Sequence, residues 1–100
     1  MEKWIKKEVV NQLRNPSGKF GDIISEYMSE VAGTEKIIFI KSFFMERKGY
    51  WTVMKELKKK DFYIERSTFY RIKDDIIIDI ALRACFEQLL CPYGDNSSPK

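Results

Sequence analysis

Apolar residues recur every three or four positions along most of this chain. Ile5, Val9 and Leu13, with Trp4 and Val10 beside them, predict an amphipathic helix over residues 2–14. Asn15-Pro16-Ser17-Gly18 should end it, because proline cannot continue the hydrogen-bond ladder and glycine favours a turn. Phe20, Ile23, Ile24, Tyr27, Met28 and Val31 give the clearest helical spacing in the sequence. Asp22 lies near the start of that second helix, where a carboxylate is favourable, and Gly33 is a suitable stop. Thr34 can cap a third helix containing Ile37, Ile38, Phe39, Ile40, Phe43, Phe44 and Met45. The run 37–40 taken alone has good strand propensity. The apolar positions continue at 43–45, however, and Thr34 and Gly49 bracket a helical length. Apolar on most sides, this element is expected to be central and the most buried.

A fourth helix is predicted from Tyr50 to Lys59, with Val53, Met54 and Leu57 inward and Lys55, Lys58 and Lys59 outward. Lys60–Ile64 forms a turn. From about Glu65 a long helix runs towards Leu90, with Phe69, Ile72, Ile76 and Ile80 on one stripe and Ile77, Ala81, Ala84 and Cys85 widening it. The β-branched stretch at 76–80 is ambiguous by propensity, but it continues into ALRACFEQLL, a strong helix-forming segment. Pro92 and Gly94 are the expected stop, and the polar end GDNSSPK is expected to fray. The fold class is therefore all-α: a small helical bundle with a helix-turn-helix at about 50–75 and a long C-terminal helix. One domain is expected over 1–92, with a flexible tail at 93–100.

Composition narrows the function classes. The 100 residues are 44% apolar, 33% charged and 14% aromatic, enough to build a core while staying soluble. No apolar run approaches a membrane span, and the first residues lack a signal-peptide core, so no membrane association and a cytoplasmic setting are expected. The net charge of +3 is unevenly spread. Residues 55–73 carry seven basic and three acidic side chains, whereas residues 74–100 carry two basic and five acidic ones. A local basic patch suits a polyanionic partner. Two cysteines, Cys85 and Cys91, and no histidine speak against a disulfide framework, a zinc site and catalysis by a Ser-His or Cys-His pair. Both thiols are expected to be buried and reduced, and no cofactor is expected. Asp75 and Asp79 share a helix face, a spacing that could hold Mg²⁺ for nuclease chemistry. An exposed acidic face is the simpler reading of them, and the protein is not expected to be an enzyme.

The chemistry concentrates where the fifth helix begins. With Glu65 as N-cap, Phe69 and Ile72 point inward, leaving Arg66, Ser67, Thr68, Tyr70, Arg71 and Lys73 at the front and sides of the first two turns. A recognition helix uses those turns to reach base edges in the major groove. Arginine can donate two bonds to guanine, and serine or threonine can contact a base or a phosphate. Lys55, Lys58, Lys59 and Lys60 suit phosphates, giving affinity and register.

Residues 34–82 resemble the σ70 region 4 type of helix-turn-helix, and more particularly the small phage late-transcription regulators of the ArpU, RinA and LtrC group. The segments TEKIIFIKSFF, GYWTVMKEL and IERSTFYRIKDDIIIDIAL carry the resemblance, with Ser67-Thr68-Phe69-Tyr70-Arg71 similar to the opening of the group's recognition helix. About half of the chain is covered. The stretch from Leu57 to Glu65 is longer than the three-residue turn typical of the motif, which changes how the two helices meet. The resemblance implies activation of phage late genes in the bacterial host cytoplasm, through double-stranded DNA and contact with the host RNA polymerase. Asp74 and Asp79 would offer that polymerase an acidic surface.

An interaction module from a phage or mobile element, binding another regulator, is the alternative. Trp4, Trp51, Phe86, Leu89 and Leu90 could form its apolar patch, although core positions are expected for them. A homodimer or higher oligomer would use residues 76–90.

Overall fold

The computed structural model describes residues 1–90. Helix α1 spans Lys3–Arg14 and α2 spans Gly18–Glu30; α3 spans Glu35–Ile38 and continues as a π-helical segment, Phe39–Met45. Helix α4 spans Tyr50–Lys59 and α5 spans Arg66–Phe86. No strand forms among the described residues, as the all-α pattern predicts. No helix among them is long and apolar enough to cross a membrane. The expected tail at 93–100, Cys91, Pro92 and Gly94 lie outside the described residues.

The apolar spacing accounts for the packing. Ile5, Val9 and Leu13 of α1 are buried, as are Phe20, Ile24 and Tyr27 of α2. Gly21 is buried where α2 passes Pro16; a Cβ there would stand 3.1 Å from the proline carbonyl carbon, so Pro16 would have to shift slightly to admit one. Helix α5 lies against α1 and α2, and α4 lies against α3 and the π-helical segment.

The third helix departs from its expected form. Thr34 does cap it, its hydroxyl accepting from the Lys36 N–H at 3.2 Å. After one turn the winding widens, and the Glu46 N–H bonds back five residues to the Lys41 carbonyl. A wider turn lets Phe39, Ile40 and Phe44 all face inward. Gly49 does not stop this helix. Arg47, at φ 56°, reverses the chain, and Gly49 is the N-cap of α4. Nor is α3 the most buried element, since Ile37, Ile38, Phe43 and Met45 are only half-buried. The back of α5 fills the centre instead, burying Phe69, Ile72, Ile76, Ile77, Ile80, Ala81 and Ala84.

The end of α5 is a second correction. The helix stops at Phe86 rather than near Pro92. Gln88 adopts φ 62°, its N–H bonds the Cys85 carbonyl, and the Leu89 N–H bonds the Ala84 carbonyl at 2.8 Å. This paired closure satisfies the last carbonyls, and the reversal delivers Leu90 into the core. The same closure ends α4, with Asp61 at φ 66° and the Phe62 N–H on the Leu57 carbonyl.

Polar ties fix α5 to the rest. The Tyr27 hydroxyl donates to Asp79 at 2.7 Å, and Arg83 donates to both oxygens of Glu30 at 2.9 and 2.5 Å. Burial first, and then the bond to Asp79, raise the Tyr27 hydroxyl well above the usual tyrosine range. Ser42, buried within the π-helical segment, donates to Glu56 of α4. Lys48 bonds the same carboxylate at 2.6 Å, and these two partners, Lys48 first, hold Glu56 below the usual carboxylate range.

Candidate nucleic-acid interface

The first two turns of α5 have the inside and outside that their sequence predicts. Phe69 and Ile72 are buried, while Arg66, Ser67, Tyr70 and Arg71 are exposed. Thr68 and Lys73 are half-buried, at the sides rather than the front. Glu65 is the N-cap in extended backbone, though its side chain does not bond the helix.

An aromatic cluster positions this surface. The Phe69 ring meets Phe39 and Tyr50, each at 4.7 Å between centroids, and Phe43 at 5.5 Å. Tyr50, in the first turn of α4, stacks nearly parallel on Tyr70 at 6.2 Å and lies under the Arg66 guanidinium at 5.6 Å. Lys73 reaches over the other end of the cluster, 5.3 Å from the Tyr70 ring centre. Arg66 and Tyr70 are thus brought together through Tyr50, and Lys73 joins them through Tyr70. Trp51 stands next to this group, 5.0 Å from Tyr50, with 78% of its surface exposed. Spacing alone did not single out Tyr50 or Trp51 for this surface. Two adjacent aromatics opening a helix beside a basic run was the available signal.

Lys55, Lys58 and Lys59 of α4 and Lys60, its C-cap, are exposed, but they do not join that cluster. Lys55 and Lys58 line a groove together with Trp51, Met54, Phe62, Tyr63 and Ile64. Lys59 and Lys60 stand at the end of α4, before the turn. That long turn is ordered by the closure at Asp61 and by half-buried Phe62 and Ile64.

Several side chains expected inside are outside. Trp51, Phe86 at 87% and Trp4 at 43% are exposed; Leu89 is half-buried, and only Leu90 of that group is in the core. Cys85 is also exposed, because α5 turns its opposite side to α1 and α2. With Ile76, Ile77, Ile80, Ala81 and Ala84 committed to the core, the outer stripe on 76–90 reduces to Ile78, Leu82, Cys85 and Phe86. Asp74 and Asp75 are exposed, whereas Asp79 holds Tyr27 and Lys36 and serves the fold. Among the described residues no group of three or more His, Cys, Asp or Glu side chains could hold a metal ion.

Comparison with family models, with characterised proteins and with solved structures finds no match for this chain.

Proposed function

We propose that this protein is a sequence-specific DNA-binding transcriptional regulator that reads the major groove with the first two turns of α5. One observation carries the proposal: Arg66, Ser67, Tyr70 and Arg71 face solvent together, on a helix anchored from behind by Phe69 and Ile72. Donors fixed on a rigid helix can meet base edges with little loss of conformational freedom. The exposed lysines 55 and 58–60 supply sequence-independent attraction to phosphates. The resemblance to phage late-transcription regulators makes activation together with the host RNA polymerase the expected outcome of binding.

The outer stripe of α5 favours a dimer over an adaptor role. Ile78, Leu82 and Phe86 are 43%, 65% and 87% exposed on successive turns, a continuous apolar stripe that a second copy of α5 would cover. Two α5 helices packed antiparallel about Leu82 would set their Tyr70 positions about 36 Å apart at 1.5 Å per residue. Half-sites one turn of DNA apart require about that separation. A two-fold axis facing the DNA would keep both recognition surfaces on the same side.

Footprinting on the protein's own genomic neighbourhood, with Arg66→Ala/Arg71→Ala as the paired variant, tests the proposal. The wild type should protect a discrete site and lose affinity steeply with salt, while the variant folds normally and loses protection. A salt-insensitive complex, or no complex with any duplex, refutes it.

A further inference from the structure

A second basic surface lies behind Lys73. A cleft of about 310 Å³ opens between α1, the π-helical segment, the reversal after it and α5. Its floor is Val10, Phe43, Phe44 and Ile77, and its walls are Lys6, Arg14, Arg47, Lys48 and Lys73. Five cations therefore surround it and no carboxylate lines it.

Four of those cations have no carboxylate partner among the described residues. Lys48 is held by Glu46 at 3.0 Å and Glu56 at 2.6 Å. Lys6, Arg14, Arg47 and Lys73 form no ion pair among the described residues. They come from three separate parts of the chain, so simple sequence clustering does not explain their convergence. Arg47 is held there in a left-handed conformation that non-glycine residues rarely adopt, fixed by the Lys48 N–H on the Ser42 carbonyl at 2.9 Å. An apolar floor also lowers the local dielectric, which strengthens attraction between these cations and an incoming anion.

We propose that this cleft is a phosphate-binding site, formed by Lys6, Arg14, Arg47 and Lys73. Arginine forks match phosphate oxygens two at a time, and the lysines add point charges on flexible stems. Lys73 belongs to both surfaces, since it also lies against Tyr70. A duplex seated on the front of α5 can therefore run its flanking backbone into the cleft. That source of phosphate rests on the DNA-binding proposal; a free phosphorylated small molecule offers the same chemistry and does not.

The test uses the full chain and the variant Arg14→Gln/Arg47→Asn, because asparagine tolerates the left-handed backbone at 47. One arm measures duplex affinity against salt. Loss of two phosphate contacts should reduce the slope of log K against log salt by about 2, equally for specific and unrelated sequences. The other arm titrates pyrophosphate and follows the amide signals around Arg47 by NMR. Shifts there in the wild type, lost in the variant, establish the site even if no duplex binds. A reduced slope without pyrophosphate binding assigns it to the DNA backbone alone. An unchanged slope together with no pyrophosphate-dependent shift overturns the proposal.

Discussion

Replacing Phe69 by alanine would remove the ring that joins the start of α5 to the π-helical segment and to α4. The ring is fully buried and meets Phe39, Phe43 and Tyr50 at 4.7, 5.5 and 4.7 Å. Such a truncation costs about 3–5 kcal/mol, the spread reflecting how far neighbours close the void. Here Phe43 and Tyr50 are half-buried and can turn inward, whereas Phe39 is packed on all sides. The loss should therefore fall at about 3–4 kcal/mol, in the lower half of that range. For a domain of this length, that lowers Tm by roughly 12–32 °C, at about 4–8 °C per kcal/mol. Thermal and urea melts followed by circular dichroism would measure it. Phe69→Leu, which keeps most of the volume, should lose only about 1–2 kcal/mol. Duplex affinity should fall with Phe69→Ala even where the variant is still folded, because Arg66 and Tyr70 lose the packing that orients them. A loss below about 1 kcal/mol, or equal losses for alanine and leucine, would refute this account of how the surface is held.

Two further outcomes are expected. Tyr27→Phe should cost about 1 kcal/mol, because it removes a hydrogen bond to a partly exposed carboxylate. Its pH dependence is more diagnostic. The folded-state pKa of Tyr27 is raised above the ordinary 10.0, by burial and then by Asp79. That contribution is complete below the unfolded value and is lost as pH rises from there towards the folded one. The wild type should thus lose stability above about pH 10 more steeply than Tyr27→Phe, and parallel curves in urea melts would contradict the assignment. Asp61→Gly should raise stability by about 0.5–1 kcal/mol, since glycine adopts φ 66° without a Cβ clash. A lowered urea midpoint would show that the Asp61 side chain contributes to the turn.

Helix identity was legible because apolar spacing and burial share one cause. Ile5, Val9 and Leu13 recur every fourth position and are all buried, and so do Phe69, Ile72, Ile76 and Ile80 at mixed spacing. Helix ends were less legible. Sequence reading looks for glycine and proline, but the reversals after the π-helical segment, α4 and α5 use Arg47, Asp61 and Gln88. The last two reversals are forced by apolar residues just beyond them: Phe62 must turn towards the core and Leu90 must enter it. The π-helical winding had no local signal either, since it arises from fitting Phe39, Ile40 and Phe44 into one interior. On the candidate surface, the α5 residues followed from periodicity alone. Tyr50 and Trp51 did not, nor did Arg14 and Arg47 of the cleft, because only tertiary packing brings them into place.

The outer side of α5 carries more information than its fold requires. Its inner side is apolar from Phe69 to Ala84, and Tyr27, Glu30 and Lys36 fix it through Asp79 and Arg83. Any soluble outer side would satisfy that packing. Instead it changes character along its length: Ser67 and Arg71 first, Asp74 and Asp75 next, then Ile78, Leu82 and Phe86. The acidic pair separates the basic and apolar ends. It would repel a polyanion from the middle of the helix, and so confine an approaching duplex to the first two turns. Leu82 and Phe86 stay exposed at the apolar end. On the proposed reading, the basic end of this helix would meet DNA and the apolar end a second copy of the chain. The rigid ties at Asp79 and Arg83 would then hold those two engagements at a fixed separation.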